Sequence, residues 1–154
     1  MSKILIIDTS VLCNILNIPG RCQDRQAILD EFVLENELKS EFFVPFGTVL
    51  ETGNHISKLS DSGLRKKYSN EFAKFIGEAT SGKLPLKPIN FPGKELMEKS
   101  IAEFPINAEQ GIGMVDTTII QEYKECVQLF TGWIVKIWTS DGHLAGYEHY
   151  PTLR

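Results

Sequence analysis

The residues of this chain best suited to chemistry are four carboxylates, Asp8, Glu51, Asp116 and Asp141, far apart in sequence yet set in similar surroundings. Asp8 closes the apolar run Ile4-Leu5-Ile6-Ile7, and Asp141 follows the run from Trp133 to Thr139. Glu51 lies one helical turn after the strand–helix junction at Pro45–Thr48, and Asp116 lies early in the helix expected after Gly111-Ile112-Gly113. In an open parallel sheet, ligands bind outside the carboxyl ends of the strands. Two of the acids are strand ends, and two sit in the first turns of helices at the same edge, whose positive ends offset part of the charge. Carboxylates a few ångströms apart repel and cannot all stay ionised without a cation. Hard divalent cations take oxygen ligands, and Mg²⁺ needs only a few carboxylates plus water. Two such ions about 4 Å apart can activate a water and stabilise the leaving oxygen of a phosphodiester. Taken singly, Asp8 reads equally well as the cap of the next helix. The case for chemistry rests on the other acids arriving in the same way.

The elements that must position these acids alternate. Ile4–Ile7 is apolar without alternation and short, so it reads as a strand buried on both faces. Val11 to Leu16 starts a helix that Pro19-Gly20 ends, and Arg21 to Leu38 is the next helical stretch, with Ile28, Leu29, Phe32 and Leu38 near one face. Phe42-Phe43-Val44, stopped by Pro45, reads as the second strand, and Gly47-Thr48 opens the helix that carries Glu51 and Ile56. Leu64, Tyr68, Phe72, Phe75, Ile76 and Ala79 recur at helical spacing up to Ser81-Gly82. Leu84 to Phe91 contains prolines and cannot be a long central strand; its middle is expected to form a short third one. Lys94 to Phe104 reads as a helix stopped by Pro105, and Met114 to Leu129 as a helix with Val115, Ile119, Ile120, Tyr123 and Val127 inward. Trp133 to Thr139 is the longest β-like run. A short helix is expected after Gly142, then an edge segment or tail from Tyr147 to Arg154. The alternation implies right-handed crossovers and a central parallel sheet flanked by helices, a three-layer α/β/α fold.

Composition narrows the classes of function. A chain of 154 residues, 42% of them apolar, is expected to be a single domain, 1–154, with a proper core. No apolar run approaches the ~20 residues that span a bilayer, and the first residues resemble no secretory signal. Cys13, Cys22 and Cys126 form no CxxC pair and are odd in number, which suits reduced residues of a cytoplasmic protein. The net charge of −4 counts against a protein that coats duplex DNA, but not against an acidic site that takes up metal ions and then meets phosphate.

At this point the residues resemble a known family. Ile4–Leu12 with Asp8, Val44–Glu51, Gly113–Ile120 with Asp116, and Thr139–Asp141 are similar to the motifs of PIN-domain nucleases, in order and over nearly the whole chain. The resemblance implies a PIN-like fold with strand order 3-2-1-4-5. It implies Mg²⁺- or Mn²⁺-dependent hydrolysis of RNA with Asp8, Glu51, Asp116 and Asp141 at the metal site. A toxin-type ribonuclease with an antitoxin or other protein partner, or a homodimer, is expected on the same ground. No family motif falls between Ser57 and Gln110.

The remaining polar residues carry two readings each. Thr9 and Thr139 could steady the acids or simply cap a helix and suit a strand; Ser10 reads as a cap. His55 stands four residues after Glu51 on one helix face, yet no HExxH pattern exists, so an exposed or packed histidine is expected. His143 and His149, which follow Asp141, could approach phosphate but are read as taking no part; Asn14 and Asn54 could contact substrate or water but are read as surface. Arg65, Lys66, Lys67 and Lys74 could guide an RNA backbone or form a solvated helix face. Phe42, Phe43, Trp133 and Trp138 are read as core. Other functions fit less well. A HAD-type phosphatase needs an Asp two residues after its nucleophile, where this chain has Ser10. A phosphate-receiver domain needs acids beside the first one and a lysine after the last strand. A PIN-like module that binds RNA or protein without cleaving stays open.

Overall fold

The computed structural model describes residues 1–88 and 92–152. Its centre is β1 (Lys3–Ile7). On one side β1 pairs in parallel with β4 (Ile134–Trp138), and on the other with β2 (Glu41–Val44). Two further strands complete the sheet: β3 (Leu86–Pro88) beside β2, and β5 (Glu148–His149) beside β4, in the order β3-β2-β1-β4-β5. This is the PIN-like order the resemblance implies. β5 runs antiparallel to β4, so the sheet is parallel except at that edge. β3 lies within the expected Leu84–Phe91 stretch, of which the last three positions lie outside the described residues. It tolerates Pro88 because it is an edge strand with no outer neighbour to receive an N–H.

The apolar run in β1 divides between two cores. Leu5 and Ile7 point to one face, where they pack with Val11, Leu12, Phe42, Ile56, Tyr68 and Trp138. Ile4 and Ile6 point to the other, against Ile119, Ile120, Val135 and Ile137. Helices α1 (Thr9–Ile15), α2 (Arg25–Glu37), α3 (Phe46–Ser57) and α4 (Ser62–Thr80) supply the first face. α6 (Met114–Leu129) covers the second, with α5 (Lys94–Glu109) packed against it. Both faces of β1 are therefore dry, which is why its sequence does not alternate.

Several boundaries differ from the sequence reading. α2 begins at Arg25, not Arg21, because the side chain of Asn14 accepts the Asp24 N–H (3.0 Å) and holds the preceding residues in a loop. α5 does not stop at Phe104 but runs through Pro105 to Glu109. The turn around Pro105 is exposed, so water can take the orphaned carbonyl. The last turn is secured by Asn107, whose Nδ2 donates to Thr117 Oγ1 (3.1 Å) and whose carbonyl accepts the Ile112 N–H (2.9 Å). Among the described residues no helix follows Gly142; the Leu144 and Ala145 N–H groups close on the Asp141 carbonyl (3.3 and 3.1 Å), and Gly146 (φ 90°) turns the chain into β5. Among the described residues no helix is long and apolar enough to cross a membrane.

Candidate active site

The parallel strands β1 and β4 end side by side, and their ends carry Asp8 and Asp141. Asp8 caps α1, its Oδ2 accepting the Ser10 N–H at 3.3 Å. It is also 3% exposed and lines a cavity of about 300 Å³, so the cap and the site are one residue. Glu51 on α3, Asp116 on α6 and Asp141 line the same cavity. The fold thus gathers all four predicted acids from four separate segments.

Two contacts bring α3 and α6 to that edge. Thr48 Oγ1 donates to the Ile7 carbonyl (2.9 Å), fastening the start of α3 to the end of β1. Gly47 lets α6 approach: a Cβ there would lie 3.2 Å from Val115 Cγ1 and 3.3 Å from Thr118 Oγ1. Asp116 follows Val115, so this close crossing brings it toward Glu51.

Hydroxyl groups hold the acids. Ser10 Oγ and Thr139 Oγ1 both donate to Asp8 Oδ2 (2.8 Å each). Thr139 Oγ1 also accepts the Asp141 N–H (2.8 Å), linking the two strand ends. Thr9 Oγ1 donates to Glu51 Oε2 (2.7 Å). Asp141 Oδ1 accepts the His143 N–H (2.9 Å). Among the described residues, only one oxygen of each of Asp8, Glu51 and Asp141 is engaged by such bonds. Burial, followed by the charges of Asp8, Glu51 and Asp141, pushes the Asp116 carboxyl up to about 6. Burial and like charges both disfavour the ionised form.

The donor set is entirely hard oxygen, the kind that Mg²⁺ and Mn²⁺ take. Among the described residues no three Asp, Glu, His or Cys side chains converge closely enough to enclose an ion. The residues therefore suit an ion held by one or two carboxylates and completed by water, the habit of Mg²⁺, rather than an all-protein cage.

Other predicted residues fall elsewhere. Arg65 donates through Nη1 to the Leu59 and Ser60 carbonyls (2.5 and 3.0 Å), tying down the α3–α4 connection. Arg65 and Lys66 line a hollow with Gly53 and Ile56, whereas Lys67 and Lys74 line another with Arg25 and Tyr68. None of the four lines the acidic cavity. His55, read from sequence as exposed or packed, does line it, half-buried, with its pKa lowered by burial and then by Arg21. Sequence reasoning missed Cys13, Gly20, Arg21, Gln23, Asp24 and Ser140 and set Asn14 aside as surface. The available signal was that Pro19-Gly20 must turn the chain back over a helix that begins at Asp8.

No family model matches the chain, and no curated protein matches it. Solved structures do. The chain is similar to FitAcB from Neisseria gonorrhoeae at 19% identity, over 93% of this chain and 92% of that one, with a TM-score of 0.56. It is similar to FitAB bound to an IR36 DNA fragment at 17% identity, over 93% and 89%, with a TM-score of 0.59. Likeness to VapBC2 from Rickettsia felis, bound to a DNA fragment from its promoter, is at 11% identity over 88% and 99%, with a TM-score of 0.51. At these identities the likeness is one of fold, the PIN-like α/β/α arrangement.

Proposed function

We propose that this chain is a metal-dependent endoribonuclease of the toxin type, hydrolysing RNA phosphodiester bonds at Asp8, Glu51, Asp116 and Asp141 with Mg²⁺ or Mn²⁺. The observation that carries this reading is the convergence of four acids from separate segments on one cavity, where burial and then the charges of Asp8, Glu51 and Asp141 push Asp116 up to about 6. Asp8, Asp116 and Asp141 are the candidate ligands, one or two of them touching the ion directly and the others reaching it through water, and Glu51 would bind it or orient water. When bound, such an ion polarises a phosphodiester oxygen and makes water a better nucleophile. In this reading Thr139 and Ser10 keep Asp8 aimed, Thr9 keeps Glu51 aimed, and the free Glu51 oxygen takes the proton of the attacking water. The fold neighbours are toxin–antitoxin complexes, which supports a protein partner such as an antitoxin for this chain. Two of them hold DNA. RNA as substrate rests on the motif resemblance alone.

The second reading is a PIN-like module that binds RNA or protein without cleaving. The open spacing of the acids favours it, since no three converge on one ion. Incubation with labelled RNA in Mn²⁺ and in EDTA separates the two. Cleavage should occur in Mn²⁺ only, and Asp8→Asn or Asp116→Asn should slow it by ~10²-fold or more with the fold intact. Full activity of both variants, or none in the wild type, would remove the nuclease reading.

A further inference from the structure

Part of the cavity lining comes from outside the segments that carry Asp8, Glu51, Asp116 and Asp141. The loop between α1 and α2 contributes Gly20, Arg21, Gln23 and Asp24. It is closely tied for its length. The Asn17 N–H donates to the Asn14 carbonyl (3.1 Å), Ile18 N–H to Cys13 (3.0 Å), and Arg21 N–H to Ile18 (3.0 Å). Gln23 Nε2 donates to the Gly20 carbonyl (2.8 Å). Asn14, 3% exposed, spans the loop from below: its Nδ2 donates to the Ser10 carbonyl (2.8 Å) and its Oδ1 accepts from Asp24 N–H (3.0 Å). Ile18 is buried in the core with Leu12 and Leu16. Asn17 (φ 57°) and Gly20 (φ 78°) take the left-handed turns the path requires. The helix capped by Asp8 therefore also fixes the loop that carries Arg21.

Arg21 is exposed at the cavity, and its side chain makes no hydrogen bond or ion pair among the described residues. Its charge acts on Cys13 of α1 and on His55 of α3, both of which line the cavity. Among the described residues it is the one permanently charged cation in the lining, facing a site made of Asp8, Asp24, Glu51, Asp116 and Asp141. Such a site, in a chain of net charge −4, repels a phosphate backbone. A guanidinium presents a rigid fork of donors that fits phosphate oxygens in a bidentate manner.

We infer that Arg21 binds the substrate: its guanidinium grips a backbone phosphate of single-stranded RNA at the cavity mouth, so that the neighbouring phosphodiester lies against the acids. This rests on the ribonuclease reading above.

The test is fluorescence anisotropy of a labelled single-stranded RNA over a salt series, in an Asp116→Asn background so that turnover does not interfere. Adding Arg21→Ala should weaken binding by about 10- to 100-fold. It should also make the slope of log affinity against log salt shallower by about 0.7. Arg21→Lys should keep the slope but recover only part of the affinity, because an ammonium lacks the fork. Lys83→Ala, in the turn leading into the amino end of β3, should change neither. Unchanged affinity and slope on adding Arg21→Ala overturns the inference. So does an equal loss in Lys83→Ala, or absence of RNA binding while Arg21 is intact. Cleavage is scored separately in the otherwise wild-type chain. Mn²⁺-dependent cleavage that Arg21→Ala leaves undiminished keeps the nuclease reading and removes the inference; Arg21-dependent binding without cleavage does the reverse.

Discussion

Thr139 connects the two strand-end acids through a single oxygen, donating to Asp8 and accepting from the Asp141 N–H. Replacing that hydroxyl by a methyl in Thr139→Val keeps the shape and the β-branched preference for the strand end. It removes one of the two hydroxyl donors that aim Asp8 and leaves the Asp141 N–H without its Thr139 partner. Groups that orient metal-binding side chains are worth about 10- to 100-fold in affinity or activity. RNA cleavage by Thr139→Val should fall by about that factor, with stability lowered by ~1–2 kcal/mol and RNA affinity in EDTA unchanged. Wild-type turnover in this variant would show the hydroxyl to be idle. Arg65 is the contrasting case. Its guanidinium is already spent on the Leu59 and Ser60 carbonyls. Arg65→Ala should therefore lower the melting temperature while leaving the salt dependence of RNA binding unaltered. A flattened salt slope would return Arg65 to the substrate.

At the scale of elements, the crossing of α3 and α6 decides whether Glu51 and Asp116 meet. Gly47 sits where a Cβ would press on Val115 and Thr118 at 3.2 and 3.3 Å. Gly47→Val adds a branched side chain there, and overpacking of this kind costs ~1–3 kcal/mol. The helices should move apart, and cleavage should fall by more than the unfolded fraction explains. Thermal melts and activity at 10 °C check this, and a fully active, equally stable variant would refute it. The same comparison shows what the sequence made legible. β1 was readable because a strand buried on both faces leaves an unbroken apolar run, β4 because β-branched and aromatic residues dominate it, and α4 because its stripe recurs at helical spacing. The four acids were readable because strand ends and helix starts at one sheet edge are a matter of local order. The antiparallel direction of β5 was not, since a two-residue edge strand carries no pattern. Nor was the run of α5 through Pro105, which depends on Asn107 meeting Thr117. Arg21 was hidden for the same reason: its place over the cavity is set by Asn14 reaching Asp24 across ten residues.

For the molecule as a whole, two carboxyls set how stability changes with pH. Burial, then Glu125, pushes Glu122 up to about 7, and burial with the neighbouring acids pushes Asp116 up to about 6. Glu122 is 5% exposed on α6, and its Oε2 has no hydrogen-bond partner among the described residues. A carboxyl whose folded pKa is raised binds its proton more tightly in the folded chain. Its contribution is fully present below the unfolded value, 4.5 for Glu122, and is lost as pH rises through about 7. Two groups act in the opposite sense. Glu35, lowered by Lys3 and Ser40 against the effect of its burial, stabilises above the usual glutamate range, and that stability is lost only as pH falls below it. His55, lowered mainly by burial, disfavours folding as pH falls through 6.5. A variant comparison isolates Glu122 from these. Glu122→Met keeps an unbranched side chain and removes the charge together with the orphaned oxygen. It should stabilise the protein by ~2–3 kcal/mol at pH 8, and most of the charge-dependent part of that gain should vanish by pH 5. Mn²⁺ should not alter the Glu122 difference, because that residue does not line the acidic cavity. Asp116→Asn should also stabilise the metal-free chain at pH 8, but this gain should disappear in Mn²⁺, which should stabilise the wild type by ~2.7 kcal/mol at a hundredfold excess over its dissociation constant and stabilise less the variant without that carboxylate. Melts of the three proteins at pH 5 and pH 8, each in EDTA and in Mn²⁺, separate the two acids. If Mn²⁺ leaves the wild-type melting temperature where EDTA puts it, the cavity holds no metal; if Glu122→Met melts with the wild type at pH 8, Glu122 is not charged in the fold.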